Sequence, residues 1–170
     1  MPASAGLSAG SSLEAAVPRR SRYMQAATRI SHPALPIDFL ITDCPAPAAL
    51  SAYADQLDGA DCADVVRLCE PTAYDAGALG ARGCTVHDEM AFEDGGVPLP
   101  FQVTAWRQLC QQDELAGMTT IAVHCYSGIG RAPLMVAVAL IDAGVAVDEA
   151  VDYIRKARRG AINRKQLAWL

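Results

Sequence analysis

A cysteine at 125 and an arginine at 131 enclose five residues, two of them glycine: His124-Cys125-Tyr126-Ser127-Gly128-Ile129-Gly130-Arg131. A thiolate is a strong nucleophile, and a guanidinium is a planar fork that matches two oxygens of a phosphate. Glycine at 128 and 130 lets the intervening backbone curl so that successive N–H groups point inward as an anion nest. Residues 126–131 then form a phosphate cradle with a nucleophile at its mouth, and the positive field favours thiolate over thiol. Six cysteines and twelve arginines in 170 residues give roughly 0.4 chance matches to Cys-x5-Arg, so the spacing alone decides little. Requiring the histidine and both glycines lowers that expectation to about one in ten thousand.

Such a cradle needs a rigid element on each side. Residues 119–124 read as a buried strand, and Pro133 with the apolar run 134–141 reads as a helix whose N-terminal dipole adds to the cradle's field. The remaining pattern predicts strands at 36–42, 63–69 and 84–88, and helices at 46–57, 101–115, 132–143 and 148–159, with a short helix from Asn163. Residues 72–83 and 90–100, rich in glycine and proline, read as loops. Strands alternating with helices predict an α/β fold with a central, mainly parallel sheet flanked by helices on both faces, and a ligand site at the carboxyl ends of the strands. Cys125 falls at such an end.

The chain is the size of a single domain, read as residues 36–170. Residues 1–35, rich in Ala, Ser and Gly and carrying Arg19, Arg20, Arg22 and Arg29 against Glu14, are like a transit peptide in composition. They read as a disordered extension, some of which can lie on the domain. A net charge of −5 argues against nucleic acid as a partner. The stretch 151–170 is locally basic, with Arg155, Lys156, Arg158, Arg159, Arg164 and Lys165 against Asp152, and reads as a solvated helix face or a patch for phosphate or anionic lipid. The six cysteines, at 44, 62, 69, 84, 110 and 125, include no Cys-x-x-Cys pair and the three histidines are scattered, so no metal site and no cofactor are expected. The thiols are expected to be reduced, in a cytoplasmic setting.

Cleaving a phosphate ester also requires a proton for the leaving oxygen. The loop at 90–100 holds two adjacent acids, Glu93 and Asp94, beside Gly95 and Gly96, either of which can serve or be a solvated loop acid.

With these residues in hand, the chain resembles the cysteine-based protein tyrosine phosphatases, and within them the phosphatases of regenerating liver, or type IVA. The likeness runs through residues 39–42, 65–72, 92–95 and the cradle to Arg158-Arg-Gly-Ala-Ile-Asn163-Arg-Lys-Gln166. It implies a dual-specificity phosphatase-like fold with Cys125 as nucleophile, Arg131 and the backbone of Tyr126, Ser127, Gly128, Ile129 and Gly130 as phosphate ligands, and Asp94 as general acid. Relatives carry Trp and Pro where Met90 and Ala91 stand, which puts closure of the acid loop in question. Most of the superfamily has Ser or Thr after the arginine to help sulfur leave; Ala132 has no hydroxyl, so a slow second step and a long-lived phosphocysteine are implied. Cys69 matches a cysteine that pairs reversibly with the nucleophile in relatives. His124 is expected to orient the loop, Gln166 to position water, and Tyr74 to line the pocket.

The uncharged Tyr126, Ser127 and Ile129 favour a phosphotyrosine protein or another aryl phosphate over inositol lipids. The alternative is a binding module for cyclin M-type magnesium transport mediators, regulated by phosphocysteine. Relatives end in a prenylated tail; this sequence ends Leu167-Ala-Trp-Leu170, so peripheral membrane association is expected only if a tail has been truncated, and self-association is left open.

Overall fold

The computed structural model describes residues 26–170. Five strands form one sheet in the order β1-β2-β5-β3-β4: β1 (Thr28–Ile30), β2 (Asp38–Thr42), β3 (Cys62–Arg67), β4 (Thr85–His87) and β5 (Thr120–His124). β1 runs antiparallel to β2 at one edge, while β2, β5, β3 and β4 are mutually parallel. The helices are α1 (Leu50–Gly59), α2 (Ala76–Gly80), α3 (Pro100–Ala116), α4 (Arg131–Asp142), α5 (Val147–Ala157) and α6 (Arg164–Trp169).

The central strands bury both faces, and their side chains alternate between two cores. Phe39, Ile41, Val66, Ile121 and Val123 join Trp106 of α3, Met135 of α4 and Ile154 of α5 in the larger core. Leu40, Val65 and Ala122 point the other way, to Tyr53 and Leu57 of α1 and Leu79 of α2. α4 is buried along most of its length, as its apolar run requires, and α5 opens with Asp148 and Glu149 and closes with Arg155 and Lys156, each sign placed favourably on the helix dipole.

The expected strands and helices recur within a few residues of their expected bounds, with two differences. The loop expected at 72–83 contains α2, a five-residue helix whose start is capped by Asp75 accepting from the Gly77 N–H. The boundary expected at residue 36 falls inside the domain: β1 pairs Thr28, Arg29 and Ile30 with Ile41, Leu40 and Phe39, and Ile30 is buried. Three residues of edge strand are too short for alternation to reveal; their partner on β2 creates them. The rest of the expected extension, residues 1–25, lies outside the described residues.

Candidate active site

Cys125 directly follows β5 and is 2% exposed, with α4 beginning at Arg131. The loop between them is tied to its surroundings through its carbonyls. Tyr126 O accepts from Cys44 N–H, Ile129 O from Ile162 N–H, and Gly130 O from Leu134 N–H within the first turn of α4. The Ser127 and Gly128 carbonyls are held by one side chain, Arg158, through Nη2 and Nε. With these carbonyls engaged outward, the loop's N–H groups are free to serve the concave side.

Arg158, expected on a solvated helix face or in a patch for phosphate or anionic lipid, is fully buried below the cradle, where it also donates to Asp43, Ala26 O and Thr28 Oγ1. Its guanidinium fork is the only basic head that can satisfy so many acceptors in one plane. Burial lowers its pKa from the usual arginine value, and Asp43 at 2.8 Å opposes that shift. Arg155 is likewise turned inward, donating to Ala161 O and Ile162 O. Gly128 has φ +63°, and a Cβ there would lie 2.4 Å from Arg158 Nη2 and 2.5 Å from Thr42 O, so glycine is required by conformation and by space.

Arg131 is 1% exposed. Its Nη1 donates to Leu68 O at 2.8 Å and Phe92 O at 2.9 Å, while Nε and Nη2 have no hydrogen-bond partner. Asp94 Oδ1 lies 3.3 Å from Nη2, an ion-pair contact outside hydrogen-bonding geometry, and the Asp94 side chain is 75% exposed. The Tyr126 ring stands at the rim with Arg131 stacked 5.5 Å from its centroid, and its hydroxyl donates to Glu70, a residue the sequence reading passed over. That bond pushes the Tyr126 pKa up to about 12 and holds the Glu70 carboxyl below its usual value.

Four donors clamp the acid loop against the cradle. Gln102 Nε2 binds Ala91 O, Arg131 Nη1 binds Phe92 O, Asn163 Nδ2 binds Gly95 O, and Gln166 Nε2 binds Gly96 O. Met90 is fully buried, so an apolar side chain anchors the start of the loop. Glu93 closes a turn through its backbone carbonyl, which accepts from Gly96 N–H. Gln166 is itself fully buried; its Oε1 accepts from Asn163 N–H in the cap of α6, and it would meet a Cβ on Gly130 at 3.5 Å, so it joins the two loops.

Behind the cradle, His124 is fully buried, with Nδ1 3.1 Å from Cys125 O and Nε2 2.8 Å from the Tyr74 hydroxyl. Tyr74, which the resemblance placed at the pocket wall, is 4% exposed. It packs into the smaller core against His124, with Arg67 stacked 4.4 Å from its ring. Cys69 places its Sγ 3.9 Å from Cys44 Sγ and 4.0 Å from His124 Nδ1, and all six cysteines are free. Donation by the Cys69 thiol lowers the Cys44 pKa and raises that of Cys69. Ala132 is fully buried at the start of α4, next to Arg131.

The chain is 44% identical over 136 residues to the PRL-1 phosphatase of Drosophila melanogaster, covering 78% of this chain and 74% of that protein. It is also 44% identical over 134 residues to the human protein tyrosine phosphatase type IVA 3, covering 76% of it. The chain belongs to the PRL, or type IVA, family of protein tyrosine phosphatases. Among solved structures, a putative protein tyrosine phosphatase from Leishmania major superposes with TM-score 0.76 at 36% identity, covering 85% of this chain and 96% of that one. The kinase-associated phosphatase shares the fold, with TM-score 0.73 at 18% identity. No family model matches the chain. The PRL membership agrees with the dual-specificity phosphatase-like fold expected from the sequence. No helix among the described residues is long and apolar enough to cross a membrane.

Proposed function

We propose that this PRL-family chain is a cysteine-dependent protein tyrosine phosphatase that works through a phosphocysteine on Cys125. The observation that carries the reading is one edge of Arg131: a buried guanidinium whose Nε and Nη2 make no hydrogen bond, with only the exposed Asp94 carboxylate near Nη2, in an otherwise well-satisfied site beside a cysteine. A buried cationic donor that makes no hydrogen bond is costly and is relieved by an anion that accepts one. A phosphoryl group can accept from Nε and Nη2 while the N–H groups of residues 126–131 hold its remaining equatorial oxygens.

In the first step the Cys125 thiolate attacks phosphorus, the bond to the leaving phenolic oxygen breaks, and Asp94 in its acid form protonates that oxygen. In the second, water attacks the phosphocysteine, Asp94 as carboxylate takes the water's proton, and the sulfur leaves as thiolate. Asp94 rests at the edge of the cradle, 3.3 Å from Arg131, on a loop already clamped down. Nothing at position 132 can hydrogen-bond the departing sulfur, so the second step is slow and phosphocysteine accumulates. The rim favours aryl phosphates on proteins: Tyr126 offers a ring face, and Glu70 beside it repels polyanionic headgroups.

Rapid mixing of the reduced protein with an aryl phosphate, followed by intact-mass analysis, tests this. A burst near one equivalent with a phosphate adduct lost in Cys125→Ser is expected. Absence of burst, adduct and turnover overturns the reading.

A further inference from the structure

We propose that Cys44, Cys69 and His124 form a binding site for a borderline-soft divalent cation of the Zn2+ type, on the opposite side of the sheet from the nucleophile's packing. The three donor atoms lie within 4.8 Å of one another, although the residues are dispersed in sequence. Strand register explains how they meet. His124 of β5 is flanked by Thr42 of β2 and Arg67 of β3, and Cys44 and Cys69 each follow two residues after those partners. Side chains two apart on a strand share a face, so Thr42, Arg67 and His124 follow Leu40, Val65 and Ala122; Cys44, just past β2, packs against the same smaller core, and Cys69, just past β3, meets it at 3.9 Å. Cys125, one residue on, packs in the larger core.

The spacing suits a metal. Tetrahedral bonds of about 2.3 Å to sulfur and about 2.0 Å to nitrogen place two sulfurs about 3.8 Å apart and a sulfur and nitrogen about 3.5 Å apart. The observed separations are 3.9 Å between the thiols and 4.0 Å from Cys69 Sγ to His124 Nδ1, with Cys44 Sγ and the imidazole within 4.8 Å, so the donors draw together by up to about 1.3 Å on binding. Two thiolates and an imidazole are a donor set for Zn2+ rather than Mg2+ or Ca2+. In the free protein Nδ1 donates to the Cys125 carbonyl at 3.1 Å and the Tyr74 hydroxyl donates to Nε2 at 2.8 Å; metal binding moves the ring to the Nε2–H tautomer, whose proton the Tyr74 hydroxyl then accepts. Arg67 does not oppose the cation strongly, because Asp88 binds it at 2.6 and 2.8 Å. Cys44 is half-buried, which leaves the fourth position to water. On binding, two metal–sulfur bonds and one metal–nitrogen bond replace bonds from the hydrated ion to water, which is released, and two thiol protons leave to solvent; Nδ1 gives up its contact with the Cys125 carbonyl.

The test is an anaerobic titration of the reduced full chain with Co2+, followed by displacement with Zn2+. One equivalent showing thiolate-to-cobalt charge transfer and tetrahedral d–d bands is expected, unchanged in Cys125→Ser and lost in Cys44→Ser, with Zn2+ affinity weakened at least about 100-fold in the latter. Cys44 is half-buried, so its serine variant is expected to keep the wild-type unfolding transition, which is measured alongside. A Cys44→Ser protein that retains the bands, a Cys125→Ser protein that loses them, or an octahedral spectrum in the wild type overturns the proposal. These readouts do not involve catalysis, so this site and the phosphatase reading can each fail alone.

Discussion

Replacing Arg158 separates a cradle held from below from one that holds itself. Arg158→Met keeps the length and apolar stem but removes the bonds to Ser127 O, Gly128 O, Ala26 O and Thr28 Oγ1 and leaves Asp43, 11% exposed, without that cation. Breaking one partner of a buried ion pair costs about 3–5 kcal/mol, out of a total stability on the order of 5–15 kcal/mol. The variant therefore folds with a much lower urea midpoint. Two freed carbonyls let the loop turn its N–H groups off target, and a displacement near 1 Å is enough for about a 100-fold fall in kcat/KM for an aryl phosphate. Arg158→Lys retains the charge near Asp43 but cannot reach both loop carbonyls in one plane, so it recovers most of the stability and little of the activity. Urea unfolding, kcat/KM and competitive binding of inorganic phosphate are measured on all three proteins. If Arg158→Met holds kcat/KM and phosphate affinity within about threefold of wild type, the cradle does not depend on Arg158 and the reasoning is wrong.

Other outcomes follow from the same coordinates. Ala132→Ser supplies the missing hydroxyl beside the sulfur and is expected to raise steady-state turnover about 10-fold while the burst amplitude falls, because phosphocysteine no longer accumulates; unchanged turnover would place the slow step elsewhere. Gly128→Ala adds left-handed strain of about 1–2 kcal/mol to a contact of 2.5 Å with Thr42 O, and phosphate affinity drops with it, as read by calorimetry. Asp113 is buried with Oδ2 unpartnered, and burial raises its pKa to about 6 from 3.8, so the folded state binds its proton more tightly than the unfolded state. Its contribution is accordingly lost as pH rises from about 4 to about 6. Asp113→Asn is expected to be more stable than wild type by about 1–3 kcal/mol at pH 7, with the gap closing near pH 4, in urea melts at both values.

What the sequence by itself determined is what short-range chemistry encodes. The cradle is one contiguous segment, so its nucleophile, glycines and arginine are legible together. The α/β alternation is legible because buried strands and helices carry their own periodicity, and the resemblance to the PRL family rested on such local segments. Long-range contacts leave no comparable trace. Arg158 is one of six basic residues between 151 and 170; its burial follows from the carbonyls of a loop 30 residues away. Tyr74 sits behind β5 because Arg67 and His124 hold it there. Met90 is buried beneath the acid loop, and Gln102 of α3 reaches 11 residues back to hold Ala91 O. The absence of a Cys-x-x-Cys pair argued against a metal site, yet parallel register brings Cys44, Cys69 and His124 to one end of three adjacent strands. Pairing of strands far apart in the chain is decided by which faces pack together, and that is a property of the assembled sheet rather than of any one segment.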